Sequence, residues 1–286
     1  MDVKKPATFE EQLNKLKERG CIIKNPKEAL SVLKKVNYYR LTAYFLPFVD
    51  SNGSYISNTS FNTVLRIYEF DKRLRHLIFP IVEELEILLR TELSYMHAHK
   101  HGELGYLSSE AFNSRHKHDA FLETISSCIK HNENQLFVKH HIEKYNSRFP
   151  LWVIIELFSF GDVSRFYADM LRQDKKQFAY KIFKVPDNIL ESWLYCLTRL
   201  RNYCAHYSRL YFNRISPIPK TPKNSTYHYD NSIFDYILVL KNLSLNKKKW
   251  NNSFVVQLEA LIEEYADSIL LKHIGFPQKW KSMLLK

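Results

Sequence analysis

The 286-residue sequence predicts an all-α fold, and three observations predict it. Glycine and proline number only 6 and 10, too few for the frequent turns of an all-β chain. Apolar residues recur at three- and four-residue spacing over long stretches. Helix-start signals stand ahead of several of those stretches. A composition of 45% hydrophobic and 14% aromatic residues can bury a core, which excludes wholesale disorder.

Taken in order, Thr8-x-x-Glu11 is a capping box and Gly20 stops the helix it starts. Asn25-Pro26-x-Glu28 supplies a second cap, with proline at the first helical position. That helix leads into VNYYRLTAYFLPF, and residues 50–60 are a loop or short hairpin. From Phe61 to about His99 runs a long helical pattern with Leu74, Leu77, Ile78, Ile81, Leu85 and Leu88 on one stripe. Pro80 should kink or divide it. Residues 115–146 predict two more polar helices. PLWVIIELFSFGDVSRFYADML predicts an apolar helix, a break at Gly161 and a restart capped by Asp162. Pro186-Asp187 opens a helix expected to reach about Asn213. Three prolines mark residues 214–229 as a stiff exposed loop, and helices over about 231–243 and 252–273 precede a tail. The expected division is an N-terminal helical extension over 1–58, packed on a helical domain over 59–286.

The formal net charge is +12, which points to a polyanionic partner, with nucleic acid ahead of a membrane surface, or to a merely well-solvated surface. Cys21, Cys128, Cys196 and Cys204 form no metal-like spacing and read as free thiols of a reducing cytosol. The N-terminus has no signal-peptide core, and no uncharged apolar run reaches the ~18 residues of a membrane span. A soluble intracellular protein is expected.

The stretch WLYCLTRLRNYCAHYSRLYFNR, residues 193–214, is the most informative. At 100° per residue, Trp193, Leu197, Leu200, Cys204, Tyr207 and Tyr211 form one stripe that faces the core. Asn202, His206 and Arg209 lie on nearly the opposite side, with Arg201 on the flank. An Asn, a His and an Arg on a polar face with a rigid apolar back suit a grip on phosphate. From Arg199 to Lys223 there are six basic residues and no acidic one: Arg199, Arg201, Arg209, Arg214, Lys220 and Lys223. A helix needing only solubility would mix the signs. An exposed histidine is nevertheless common, and R-x-x-x-x-H also arises by chance.

KPATFEEQLNKLKERGCII, VNYYRLTAYFLPF, PLWVIIELFSFGDVSRFY, LRNYCAHYSRLYFNR and GFPQKW, in that order, make the chain resemble the Abi-like (abortive infection, AbiD/AbiF type) phage-defence proteins of bacteria. The resemblance spans nearly the whole chain. It implies a HEPN-like helical bundle, and a metal-independent endoribonuclease toxin without cofactor, acting in the bacterial cytoplasm. The R-x-x-x-x-H signature of that superfamily matches Arg201 through His206, and the frequently polar next position is Asn202. The implied chemistry is transesterification of RNA. His206 moves a proton, Arg201 stabilises the phosphorane-like transition state, and Asn202 orients the imidazole or a phosphate oxygen. One histidine is insufficient as acid and base in a single displacement, and HEPN nucleases commonly form the site between two such domains, so the resemblance implies a homodimer sharing one cleft. A toxic nuclease also suits control by a small RNA antitoxin. The alternative is an RNA-binding protein on the same scaffold that cleaves nothing.

Supporting residues stay open between two readings. Glu86 and Arg90, at i and i+4 with the acid first, are an ordinary surface pair of ~0.2–0.5 kcal/mol or the pair that in HEPN proteins steadies the arginine. Glu156, the only charge between Pro150 and Asp162, pairs with an arginine near the site or with any nearby base. Tyr39 and Arg40, behind Lys34 and Lys35, stack bases and neutralise phosphates, or pack the N-terminal helices. His97 and His101 could chelate a metal from one helical turn, but no Cys or carboxylate stands at a matching spacing, so no metal is expected.

Overall fold

The computed structural model describes residues 3, 5–223 and 225–285. It is all-α: among the described residues, β-pairing is confined to three isolated bridges. The helices α1 (Phe9–Glu18), α2 (Pro26–Leu33) and α3 (Tyr38–Thr42) lead into the 41-residue α4 (Phe61–His101). The Thr8–Glu11 capping box, the Asn25 cap and the stop at Gly20 all form as their residues predict. Residues 49 and 55 pair in a short hairpin before α4.

At 1.5 Å per residue α4 is ~60 Å long and is the axis of the molecule. Val64, Ile67, Phe70, Leu74, Ile78, Val82, Leu85, Leu89 and Leu93 are buried along it. The helix is not divided at Pro80. Ile78 and Val82, both fully buried, anchor the chain on either side, and this packing outweighs the missing proline N–H. Of the predicted stripe, Leu77, Ile81 and Leu88 are only half-buried, at its edge.

Two polar helices follow as expected, α5 (His118–His131) and α6 (Leu136–Tyr145). Next come the short α7 (Leu151–Ile154) and α8 (Phe160–Asp169). The break between them falls at Phe158–Ser159 and not at Gly161. Ser159 is the N-cap, and Asp162 is its reciprocal capping-box partner. After α9 (Arg172–Phe178) comes α10 (Asp187–Ala205), which packs on α4, α8, α9 and α11 (Ile233–Leu243). Beyond it, α12 (Lys247–Lys249) and a π-helical stretch Trp250–Val255 run into α13 (Val256–Glu264). This last helix ends nine residues before the expected 273, and the tail carries a short α14 (Trp280–Leu284).

The loop after α10 is less free than its prolines suggest. The Tyr236 hydroxyl donates to the carbonyls of Ile215 and Pro217, and Trp193 Nε1 donates to that of Lys220. Asn224, within it, lies outside the described residues. The N-terminal helices bury Leu41, Tyr44 and Phe45 in the same hydrophobic cluster as α4 and α10.

Candidate active site

The last two turns of α10 present the R-x-x-x-x-H residues at the surface. Trp193, Leu197, Leu200 and Cys204 are buried behind them, as the periodicity predicts. Burial also pushes the Cys204 thiol up to about 12, so it is a packing group and not a nucleophile. Arg199, Asn202 and His206 are exposed on the opposite face.

Here the structure departs from the sequence reading, because the helix ends at Ala205 and not near Asn213. His206 is its C-cap, with φ −95° and its N–H on the Asn202 carbonyl at 2.9 Å. The Tyr207 N–H reaches the Cys204 carbonyl at 3.3 Å, and the Ser208 N–H reaches that of Tyr203 at 2.8 Å. That bonding is a Schellman motif, with Tyr207 in the left-handed region at φ 58°. Tyr207 is therefore 63% exposed rather than on the core stripe, and Arg209 is not on the helix at all.

Buried groups far away in sequence hold this turn. Asp71, fully buried, accepts the amides of Leu210 (3.1 Å) and Tyr211 (2.7 Å) and the Tyr44 hydroxyl (2.6 Å). It also pairs with Arg75, which donates to the Ser208 carbonyl at 3.0 Å. Burial pushes the Asp71 carboxyl up, while the Arg75 guanidinium and these donors pull it back down. Arg40 Nη1 donates to the Tyr207 carbonyl at 2.6 Å, and Arg209 Nη1 donates to that of Ala43 at 2.9 Å. Asp71 and Arg75 were missing from the candidates. Their signal is an acid and a base at i and i+4 on the stripe that α4 buries.

Glu86 organises the arginine side. Its Oε1 accepts Arg90 Nη2 at 2.7 Å, and its Oε2 lies 3.6 Å from Arg201 Nε. Both side chains of the Glu86–Arg90 pair are only 11% exposed, so this is no ordinary surface contact. Arg90 is further fixed by the carbonyls of Ile155 and Phe158 at 3.3 and 2.7 Å. Those carbonyls, and not the Glu156 carboxylate, are what the α7–α8 connection contributes. Glu156 is exposed and makes no ion pair among the described residues, because its side chain leaves the turn toward solvent. Arg201 Nη1 lies 3.5 Å from Asn202 Oδ1, so Asn202 turns toward the arginine. The His206 ring makes no hydrogen bond among the described residues and is open to a ligand.

The other candidates disperse. Tyr39 is 86% exposed beside Arg40, next to the His206 turn. Arg214 pairs with Asp230 at 3.2 Å. Lys220 is bound through its main chain to Ser192 and Trp193, ~20 Å of helix before His206, and Lys223 lies further along the same loop. The His97 and His101 rings lie 4.7 Å apart but tilted by 42°, His101 bonds Asp174, and no metal-holding group is found among the described residues.

Residues 31–212 match the sequence model of the Abi-like protein family. The chain belongs to that family. The Abi-like match runs from α2 through the turn after His206, and so contains Asp71, Arg75, Glu86, Arg90 and the whole of α10. Membership points to abortive infection, the defence of bacteria against phage. No curated protein and no solved structure matches the chain. No helix among the described residues is long and apolar enough to cross a membrane.

Proposed function

We propose that this Abi-like protein is a metal-independent endoribonuclease of the HEPN type, acting as a toxin in phage defence in the bacterial cytoplasm. The observation that carries the reading is the bridge of Glu86 between Arg90 and Arg201, one turn from an exposed His206. A buried carboxylate between two guanidiniums draws Arg201 toward it through Nε, and with Nη1 turned to Asn202 it leaves Nη2 for a phosphate. His206, capping a helix whose end is pinned by Asp71, has a settled position and an unoccupied ring.

In the proposed reaction the ribose 2′-oxygen attacks the adjacent phosphorus and the bond from phosphorus to the 5′-oxygen breaks. An imidazole removes the 2′-hydroxyl proton, and a protonated imidazole returns one to the leaving 5′-oxygen. Arg201 balances the charge that gathers on the phosphoryl oxygens. Because one chain supplies one such imidazole, the second comes from a partner copy, with both R-x-x-x-x-H turns facing one cleft. The fragments end in a 2′,3′-cyclic phosphate and a 5′-hydroxyl. Arg199, exposed on the face of Asn202 and His206, and the exposed Tyr39 beside Arg40 are available to neighbouring phosphates and bases. A small RNA is a fitting antitoxin, since it would occupy the same basic face.

The test is incubation of labelled RNA with the protein in EDTA, beside His206→Ala. Loss of the imidazole is expected to lower the rate by about 10²–10⁴-fold with RNA binding retained. RNA bound but left intact by the wild type would instead favour a binding protein on this scaffold.

A further inference from the structure

Lys220 and Lys223 lie too far from His206 to serve a scissile phosphate there, yet they share a different feature. They line a cavity of about 970 Å³ against the first turn of α10. Along α10, Glu191 at the cavity's near edge stands ~22 Å before His206.

Its charge is one-sided. Five cations and two carboxylates line it. Glu191 is already engaged, by Lys175 through Oε2 and by Arg115 at 3.8 Å from Oε1. Asp187, the other acid, is the ordinary first-turn carboxylate of a helix. Arg172, Lys220 and Lys223 are exposed and have no ion-pair partner among the described residues. Three such cations around one concavity repel one another, and a multivalent anion between them relieves the repulsion.

The cavity is also built in advance. Lys220 is held from both sides, its N–H on Ser192 Oγ at 3.0 Å and its carbonyl under Trp193 Nε1 at 2.9 Å. Arg172 opens α9, and the accessible rings of Pro186 and Pro222 give the cavity an apolar wall. Small-molecule sites fall between roughly 300 and 1,000 Å³, mostly apolar with a few placed polar groups. A lone phosphate would leave most of this volume to water. A cationic rim beside an apolar wall matches a ligand with phosphates at one end and a flat ring system at the other.

We propose that this cavity binds a nucleoside polyphosphate, with its phosphates among Arg172, Lys220 and Lys223 and its base against Pro186 and Pro222. The assignment stands whether or not His206 cleaves RNA. Calorimetry with ATP and the full chain near physiological salt tests it. One saturable site per chain is expected, weakened at least about tenfold in the double variant Arg172→Glu/Lys223→Glu, since two charge-assisted phosphate contacts are lost and reversed. His206→Ala should bind ATP as the wild type does. If charge reversal lowers the melting temperature, Arg172→Gln with Lys223→Gln replaces it under the same expectation. Absence of saturable ATP binding, or equal affinity in the double variant, overturns the proposal. So does displacement of ATP by an RNA lacking terminal phosphates, with the double variant losing RNA affinity in parallel, because the cavity would then be a stretch of the RNA path.

Discussion

Glu86 is shared by two guanidiniums, and its loss reaches both. Glu86→Gln keeps the shape but removes the charge that directs Arg201 and neutralises Arg90. Cleavage should fall about 10–100-fold with RNA affinity little changed, the signature of an interaction made in the transition state. Stability should drop by ~2–3 kcal/mol, because a largely buried arginine loses its counter-ion. A urea titration beside single-turnover kinetics separates the two effects; unchanged cleavage would remove Glu86 from the site. At this scale the sequence was partly legible. The Glu86–Arg90 pair follows from i, i+4 spacing alone, whereas its reach to Arg201 depends on how α4 lies against α10. Arg40 and Arg209 look like free charges in the sequence, yet each is engaged by a main-chain carbonyl that only folding brings near.

At the scale of the element, the decisive feature is how α10 ends. Its start is written in Pro186-Asp187, but no glycine or proline marks its stop. Tyr207 occupies the left-handed position that glycine favours, which costs a side-chain-bearing residue ~1–2 kcal/mol. Tertiary contacts from Asp71, Arg75 and Arg40 hold it there, so residue-by-residue reading carries the helix on to Asn213. Tyr207→Gly should leave the turn intact and raise stability by up to about 1 kcal/mol, readable as a higher denaturant midpoint. A loss of stability would mean that the tyrosine ring packs against something its 63% exposure does not reveal. Asp71→Asn should act the other way. It leaves Arg75 buried without a counter-ion, costing ~3 kcal/mol, or roughly 6–12 °C of melting temperature in a chain of this size. Cleavage should fall with it even at temperatures where the protein remains folded, because the turn beyond His206 loses its anchor.

At the scale of the whole molecule, the all-α class and most helices were legible because periodicity and caps agree over long stretches. The candidate active site was less so, because α4 and α10 assemble it from residues more than a hundred positions apart. The packing of α8 and Phe112 on α4 seals His97 under Phe112 and Phe166, 1% exposed, with neither ring nitrogen hydrogen-bonded. Burial, and after it the neighbouring His101, pulls its pKa down to about 4, against the opposing pull of Asp174. Between the unfolded value of ~6.5 and 4, the unfolded chain takes up a proton that the folded chain refuses. Stability due to this group is thus complete at neutral pH and falls as pH drops through that window, by up to about 1.4 kcal/mol per unit. Urea unfolding at pH 7 and 4.5 should show the wild type losing ~2 kcal/mol more than His97→Phe. Equal losses would contradict the burial of a neutral imidazole.

The claim on which the functional account rests is that the reacting nucleophile belongs to the RNA itself. Mass analysis of the fragments released in EDTA from a defined oligonucleotide addresses it directly, together with a copy carrying a single 2′-deoxyribose at the cleaved position. The account predicts a 2′,3′-cyclic phosphate on the 5′ fragment, a 5′-hydroxyl on the other, and no cut at the deoxy position. A 3′-hydroxyl beside a 5′-phosphate, or cleavage that ignores the missing 2′-oxygen, would contradict it.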